Sequence, residues 1–101
     1  MVYCTAEFKA KEGKEHELIK TLKALEEPTR KEEGCIQYVC VKKIESEFAG
    51  GEHGGVLMNE IWQSVEIFEK HCQMPYVVKF FEEECLDPSG LVESFNVNLF
   101  E

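Results

Sequence analysis

Arginine is almost missing: Arg30 is the only one, and 11 basic residues face 20 acidic ones for a formal net charge of -9. Phosphate recognition needs clustered Lys and Arg, so this balance argues against nucleic acid as a partner. It also repels anionic membrane surfaces. No apolar run comes near the ~20 residues that span a bilayer. The N-terminus, Met-Val-Tyr-Cys-Thr-Ala-Glu, has no basic start and no long apolar stretch, so no secretory signal is expected. The five cysteines (Cys4, Cys35, Cys40, Cys72, Cys85) are odd in number and contain no Cys-x-x-Cys pair, a poor framework for disulfides or zinc. Reduced, mostly buried thiols in a cytoplasmic protein are the expectation. There is no Gly-x-Gly-x-x-Gly or P-loop sequence, hence no nucleotide site.

What is present is a foldable core. Apolar residues make up 44% and aromatics 11%, which excludes disorder as the main state. A chain of 101 residues supports one domain, residues 1–101. Scaling rules take roughly 11,000 Å² of a ~17,000 Å² unfolded surface out of water.

Patterning divides the chain into seven elements. Val2 to Ala10 alternates, with Val2, Cys4, Ala6 and Phe8 on one face, and reads as a strand. From Lys14 to about Glu27, Leu18, Ile19, Leu22 and Leu25 form a helical stripe, with Gly13 as N-cap and Pro28 as a stop or kink. Cys35 to Ile44 is a strand, apolar on both faces. Glu45 to Gly55 carries four glycines in its last six residues and is expected to be a mobile hairpin loop. Val56 to Gln63 is a third strand, with Val56, Met58, Glu60 and Trp62 on one face. Ser64 caps a helix carrying Val65, Phe68, His71 and Cys72, and Pro75 opens another that runs to Cys85. After the turn Asp87-Pro88-Ser89-Gly90, Val92 to Phe100 is the last strand.

The order βαββααβ is the ferredoxin-like pattern: an α+β fold with a four-stranded antiparallel sheet and helices on one face. The doubly apolar second strand calls for cover on the other face. Nothing in the chain remains to supply it, so a homodimer with face-to-face sheets is expected.

Chemistry concentrates around Asn59-Glu60-Ile61-Trp62, Ser64 and His71. An imidazole near an indole N–H and an amide can hold a polar ring substituent and move a proton at neutral pH. The competing possibility is that Trp62 is core and His71 a half-buried, hydrogen-bonded residue. Glu60 sits mid-strand among apolar neighbours. It is either an acid–base group with a raised pKa or an ion-pair partner for Lys42 or Lys43. Tyr38 and Tyr76 can donate phenolic hydrogen bonds into a cavity or sit at the core's edge. His53 is a loop histidine, solvated or part of a lid, and no repeated ligand spacing links it to His71 in a metal site. The acid runs Glu26–Glu27, Glu32–Glu33 and Glu82–Glu84 read as solvated surface.

Two segments carry a family resemblance. Glu33-Gly34-Cys35-Ile36-Gln37-Tyr38, followed by an apolar strand, resembles the Glu-x-Gly-Cys-x-x-Tyr pattern that opens the second strand of antibiotic biosynthesis monooxygenase domains. Glu60-Ile61-Trp62, then His71, Pro75 and Phe80–Phe81, resembles that family's Glu-x-Trp…His signature. The likeness runs from about Tyr3 to Phe100. It implies a dimeric α+β barrel, some members of which oxygenate phenols, anthrones or quinols with O₂ and without metal or flavin. On this resemblance Trp62 and His71 fall at positions lining or flanking the sheet–helix cleft, and Phe81 joins the substrate-facing wall. Asn59 and Tyr38 are added from strand geometry as polar anchors. The haem-degrading branch uses an asparagine on the first strand, and Val2 to Ala10 has none.

The leading expectation is therefore a cofactor-independent monooxygenase for a small aromatic or quinone-like compound. Two other classes stay open: a non-catalytic ligand-binding or stress module on the same fold, and an isomerase or breakdown enzyme for a small carbonyl signal molecule. Ligand stabilisation without turnover marks the first of these, and activity without oxygen the second.

Overall fold

A computed structural model describes all residues, 1–101. Four strands, β1 (Val2–Ala10), β2 (Cys35–Lys42), β3 (Gly55–Trp62) and β4 (Val92–Phe100), form one antiparallel sheet in the order β2-β3-β1-β4. The helices α1 (Glu15–Lys23), α2 (Glu26–Arg30), α3 (Val65–Cys72) and α4 (Pro75–Phe80) follow the expected order. This is the α+β, ferredoxin-like arrangement. No helix is long and apolar enough to cross a membrane.

The core lies between the sheet and the helices. Period-two alternation turns Val2, Cys4, Ala6 and Phe8 of β1, Tyr38 and Cys40 of β2, and Val56, Met58, Glu60 and Trp62 of β3 to the helix side, where all are buried. Leu18 and Leu22 of α1 meet them there. β4 is different. Phe95, Val97 and Leu99 pair with Phe8, Ala6 and Cys4 and so share their face, yet they stay 43%, 38% and 38% exposed at the sheet edge. The accessible surface is 6590 Å², above the ~5,900 Å² typical of a compact monomer of this mass.

Local departures from the sequence reading have identifiable causes. Gly13 lies in a turn at φ +77° rather than capping α1, and Lys14 occupies the cap position. The first helix breaks at Ala24–Leu25, before Pro28. Pro28 then sits third in α2, where its missing N–H lacks an intrahelical acceptor in any case. β2 ends at Lys42 and β3 at Trp62. A bulge in β2 between Cys35 and Gln37 leaves Ile36 exposed. α4 stops at Phe80, short of the expected Cys85, and continues as a single π-helical turn over Phe81–Leu86. The glycine-rich loop is fastened at its end: His53 accepts the Gly55 N–H, and the Glu7 carboxylate accepts the Gly54 N–H.

Gly34 fixes how the chain passes from α2 into β2. Its φ of +84° is left-handed, and an added Cβ would lie 2.7 Å from the Ile67 side chain of α3. Gly34→Ala should therefore cost about 1–3 kcal/mol. The urea midpoint should fall with no change in slope. A variant as stable as the parent would contradict this packing.

Candidate active site

β3 supplies the first two groups. Glu60 and Trp62, two residues apart, project to the same side, and the indole N–H of Trp62 donates to Glu60 Oε1 at 2.9 Å. Trp62 is completely buried and Glu60 is 4% exposed. Ser64 then starts α3, its Oγ accepting the Ile67 N–H at 3.2 Å. Two turns later the helix brings His71 over the indole, with ring centroids 4.5 Å apart, and the Tyr38 ring lies 5.1 Å from the same imidazole.

The partner of His71 comes from the connection between α2 and β2. Both oxygens of Glu32 lie 3.1 Å from His71 Nδ1, and the Tyr76 hydroxyl donates to the same carboxylate. The Glu32 side chain is 7% exposed. A carboxylate only accepts, so Nδ1 carries the proton and Nε2 holds the lone pair.

His71 and Glu60 both border a cavity of about 240 Å³ between sheet and helices. That is roughly eight liquid-water volumes, room for a one- or two-ring compound. Its other walls are apolar, among them Phe8, Met58, Phe68, Val77 and Phe81, with Tyr38 beside Glu60. Val97 of the uncovered β4 edge forms part of its rim.

Burial shifts the two ionisable groups in opposite directions. It pushes the Glu60 carboxyl up to about 7; the hydrogen bonds from Trp62 and the Cys4 thiol oppose this, and the negative charge of Glu32 adds to it. Burial lowers the His71 imidazole, against the hydrogen bond and charge of Glu32. Burial also raises the Tyr38 hydroxyl and pushes the Cys35 and Cys72 thiols up to about 11, which makes them poor nucleophiles.

Of the residues singled out from sequence, His71, Glu60, Tyr38 and Phe81 line the cavity. Trp62 stands behind the wall, its N–H committed to Glu60. Tyr76 reaches the site only through Glu32. Asn59 is a correction. It is exposed on the opposite face of the sheet, because period two separates it from both Glu60 and Trp62. Glu60 is not paired with lysine: Lys42 bonds Glu15 at 3.2 Å and Lys43 bonds Glu45 at 3.4 Å. His53 pairs with Glu7 at 3.2 Å, and no three His, Cys, Asp or Glu side chains converge as metal ligands.

Glu32 is the candidate-site residue that the sequence reading does not pick out, because a glutamate in an acidic run reads as surface. The signal was available: in Glu-x-Gly-Cys-x-x-Tyr the glutamate precedes glycine by two, which selects Glu32 over Glu33.

Residues 1–83 match the family model described as antibiotic biosynthesis monooxygenase. The Bacillus subtilis protein YjcS, itself uncharacterized, is 32% identical over 99 residues, covering 97% of this chain and 88% of its own. A crystal structure of a Shewanella oneidensis protein is 33% identical with a TM-score of 0.79, covering 98% of this chain and 87% of that one. A Deinococcus radiodurans structure at 22% identity shares the fold at a TM-score of 0.80, over 100% and 91% of the two chains.

Between the ordinary carboxyl value of 4.5 and about 7, the folded chain holds a proton at Glu60 that the unfolded chain has released. This contribution to stability is complete below the ordinary value and is lost as pH rises toward 7. The opposite shift at His71 contributes stability that is present above its ordinary range and lost as pH falls. Glu60→Gln removes the first dependence and keeps an acceptor for the indole. By urea denaturation, the variant should gain on the parent by roughly 2–3 kcal/mol between pH 5 and pH 8. A constant difference over that range would contradict a proton held at Glu60.

Proposed function

The chain belongs to the antibiotic biosynthesis monooxygenase family, and on that premise we propose that it oxidises a small aromatic or quinol-type compound with O₂, without a resident cofactor. The observation carrying this reading is the Glu32–His71 pair, which occupies Nδ1 and leaves Nε2 of a cavity-lining imidazole unbonded beside an apolar volume of single-substrate size.

The chemistry asks little of the protein beyond this. His71 Nε2 takes the proton of a phenolic hydroxyl, and Glu32 stabilises the imidazolium that forms. The resulting anion is electron-rich and can reduce O₂ itself. The dry walls keep water from quenching the anion and hold the ring in place. Tyr38 is a hydrogen-bond donor for a ring oxygen; burial keeps its own hydroxyl protonated. Trp62 acts as backing, its ring tilted 35° against His71 and its N–H holding Glu60.

The proposed working unit is a homodimer. The helix-free face of the sheet, where Tyr3, Val41 and Phe100 stay exposed, and the surplus accessible surface support it. The acid and base facing one cavity also suit isomerisation of a carbonyl compound, which needs the same proton transfers without oxygen.

Oxygen uptake with a panel of naphthohydroquinones and anthrones tests the reading. The parent should consume O₂, and His71→Ala should lose about 10²–10⁴-fold. Glu32→Gln should lower kcat by at least about tenfold, since the amide no longer stabilises the imidazolium. Rates unaffected by either change, or turnover that persists without oxygen, would overturn the oxygenase reading. Sedimentation velocity at micromolar concentration should show a dimer, and a monomer would contradict the proposed assembly.

A further inference from the structure

Resting on the oxygenase reading, we propose that Glu60 is the second proton-transfer residue of the cavity, delivering a proton to the peroxide formed when the substrate anion meets O₂. Nothing in the hydroquinone's deprotonation by His71 uses Glu60, yet the carboxyl is built into the same chamber.

Three observations support this role. The first is position: Glu60 and His71 both border the cavity, one rising from the sheet and the other descending from α3, so a substrate between them faces both. The second is the company Glu60 keeps. The titratable groups acting with it are the Cys4 thiol on β1, the Cys35 thiol and Tyr38 hydroxyl on β2, Cys72 on α3 and the Glu32 carboxylate on the connection before β2. None is a cation, and no Lys or Arg pairs with it, so nothing in the site stabilises the ionised form as a salt bridge would. A carboxyl so placed favours its neutral form, consistent with its rise to about 7, and that is the state a proton donor needs. The third is the Trp62 N–H on Oε1. It holds the carboxyl in one orientation and stabilises the carboxylate left after the proton departs.

The step balances with a hydroquinone and O₂ as the only reactants. His71 takes a hydroxyl proton, and the electron pair of the anion forms a ring C–O bond to O₂, leaving a peroxide anion. Glu60 protonates its terminal oxygen. The ring C–H then loses its proton as the O–O bond breaks; its electron pair becomes the new C=O, and the departing hydroxide takes up that proton as water. The proton on His71 returns to Glu60. One hydroquinone and one O₂ give one hydroxyquinone and one water. Without the acid, the peroxide anion leaves before O–O cleavage and the quinone forms with hydrogen peroxide instead.

Glu60→Gln tests this, using 1,4-naphthohydroquinone as the probe and two readouts. Trp62 is the only tryptophan, so a single indole ¹⁵N–¹H resonance reports the state of its acceptor. In the parent this resonance should titrate with a midpoint well above the ordinary carboxyl range, and in the variant it should remain present and flat. Turnover should then show the ratio of hydrogen peroxide to hydroxyquinone rising roughly tenfold or more in the variant, with KM within about threefold of the parent. A parent that consumes no oxygen fails the oxygenase reading, and this proposal with it. A parent that oxygenates while the variant stays equally coupled overturns the role of Glu60 alone. An indole resonance that titrates identically in both proteins overturns it as well.

Discussion

The structure depends on one buried anion. The Glu32 carboxylate is almost sealed from solvent, and leaving it there without donors would cost several kcal/mol. Its donors are His71 from α3 and Tyr76 from α4. Satisfying one carboxylate therefore docks two helices against the connection that leads into β2. Hydrogen bonds to a charged group contribute about 1.5–3 kcal/mol each, enough to select one arrangement of the three segments. The same bond sets the histidine tautomer. Structural need and chemical use thus coincide in a single contact: the group that closes the core also leaves the Nε2 lone pair free.

A second property follows from the shared enclosure. Low polarity favours the neutral form of both an acid and a base, so burial raises Glu60 and lowers His71. Near neutral pH the cavity then holds a proton acceptor and a partly protonated donor facing one volume. Glu60 rises past the ordinary imidazole value while His71 falls below it, so the carboxyl is suited to act as the acid and the imidazole as the base. Trp62 joins them physically, with its ring against the imidazole and its N–H on the carboxyl. The cavity's exposed margin at Val97 lies on β4, where Phe81 packs on Phe95 at a ring separation of 5.5 Å but Val97 and Leu99 stay partly exposed.

Most of the framework was legible in the sequence because it depends on period. Alternation in β1 and β3 placed Phe8, Met58, Glu60 and Trp62 on one face, and the structure keeps them there. Helix ends were less legible, since they turn on local hydrogen bonding. Pro28 reads as a stop, but a third helical position tolerates it, and the break moved to Ala24–Leu25. The π-helical turn after Phe80 has no periodic signature at all. In the site, His71, Glu60 and Tyr38 were recoverable from pattern and motif. Asn59 was not, because adjacency along a strand means opposite faces in space. Glu32 escaped because a glutamate beside another glutamate looks like surface. Only its donors, Tyr76 some 44 residues away and His71 some 39 away, explain its burial.

The account stands on the protonation state of one ring. Long-range ¹H–¹⁵N correlation spectra of the His71 imidazole at pH 7 test it directly. The account predicts a neutral ring with the proton on Nδ1 and an unprotonated Nε2, and a shift in that balance when Glu32 is replaced by glutamine. A proton resident on Nε2, or a ring insensitive to Glu32, would contradict it.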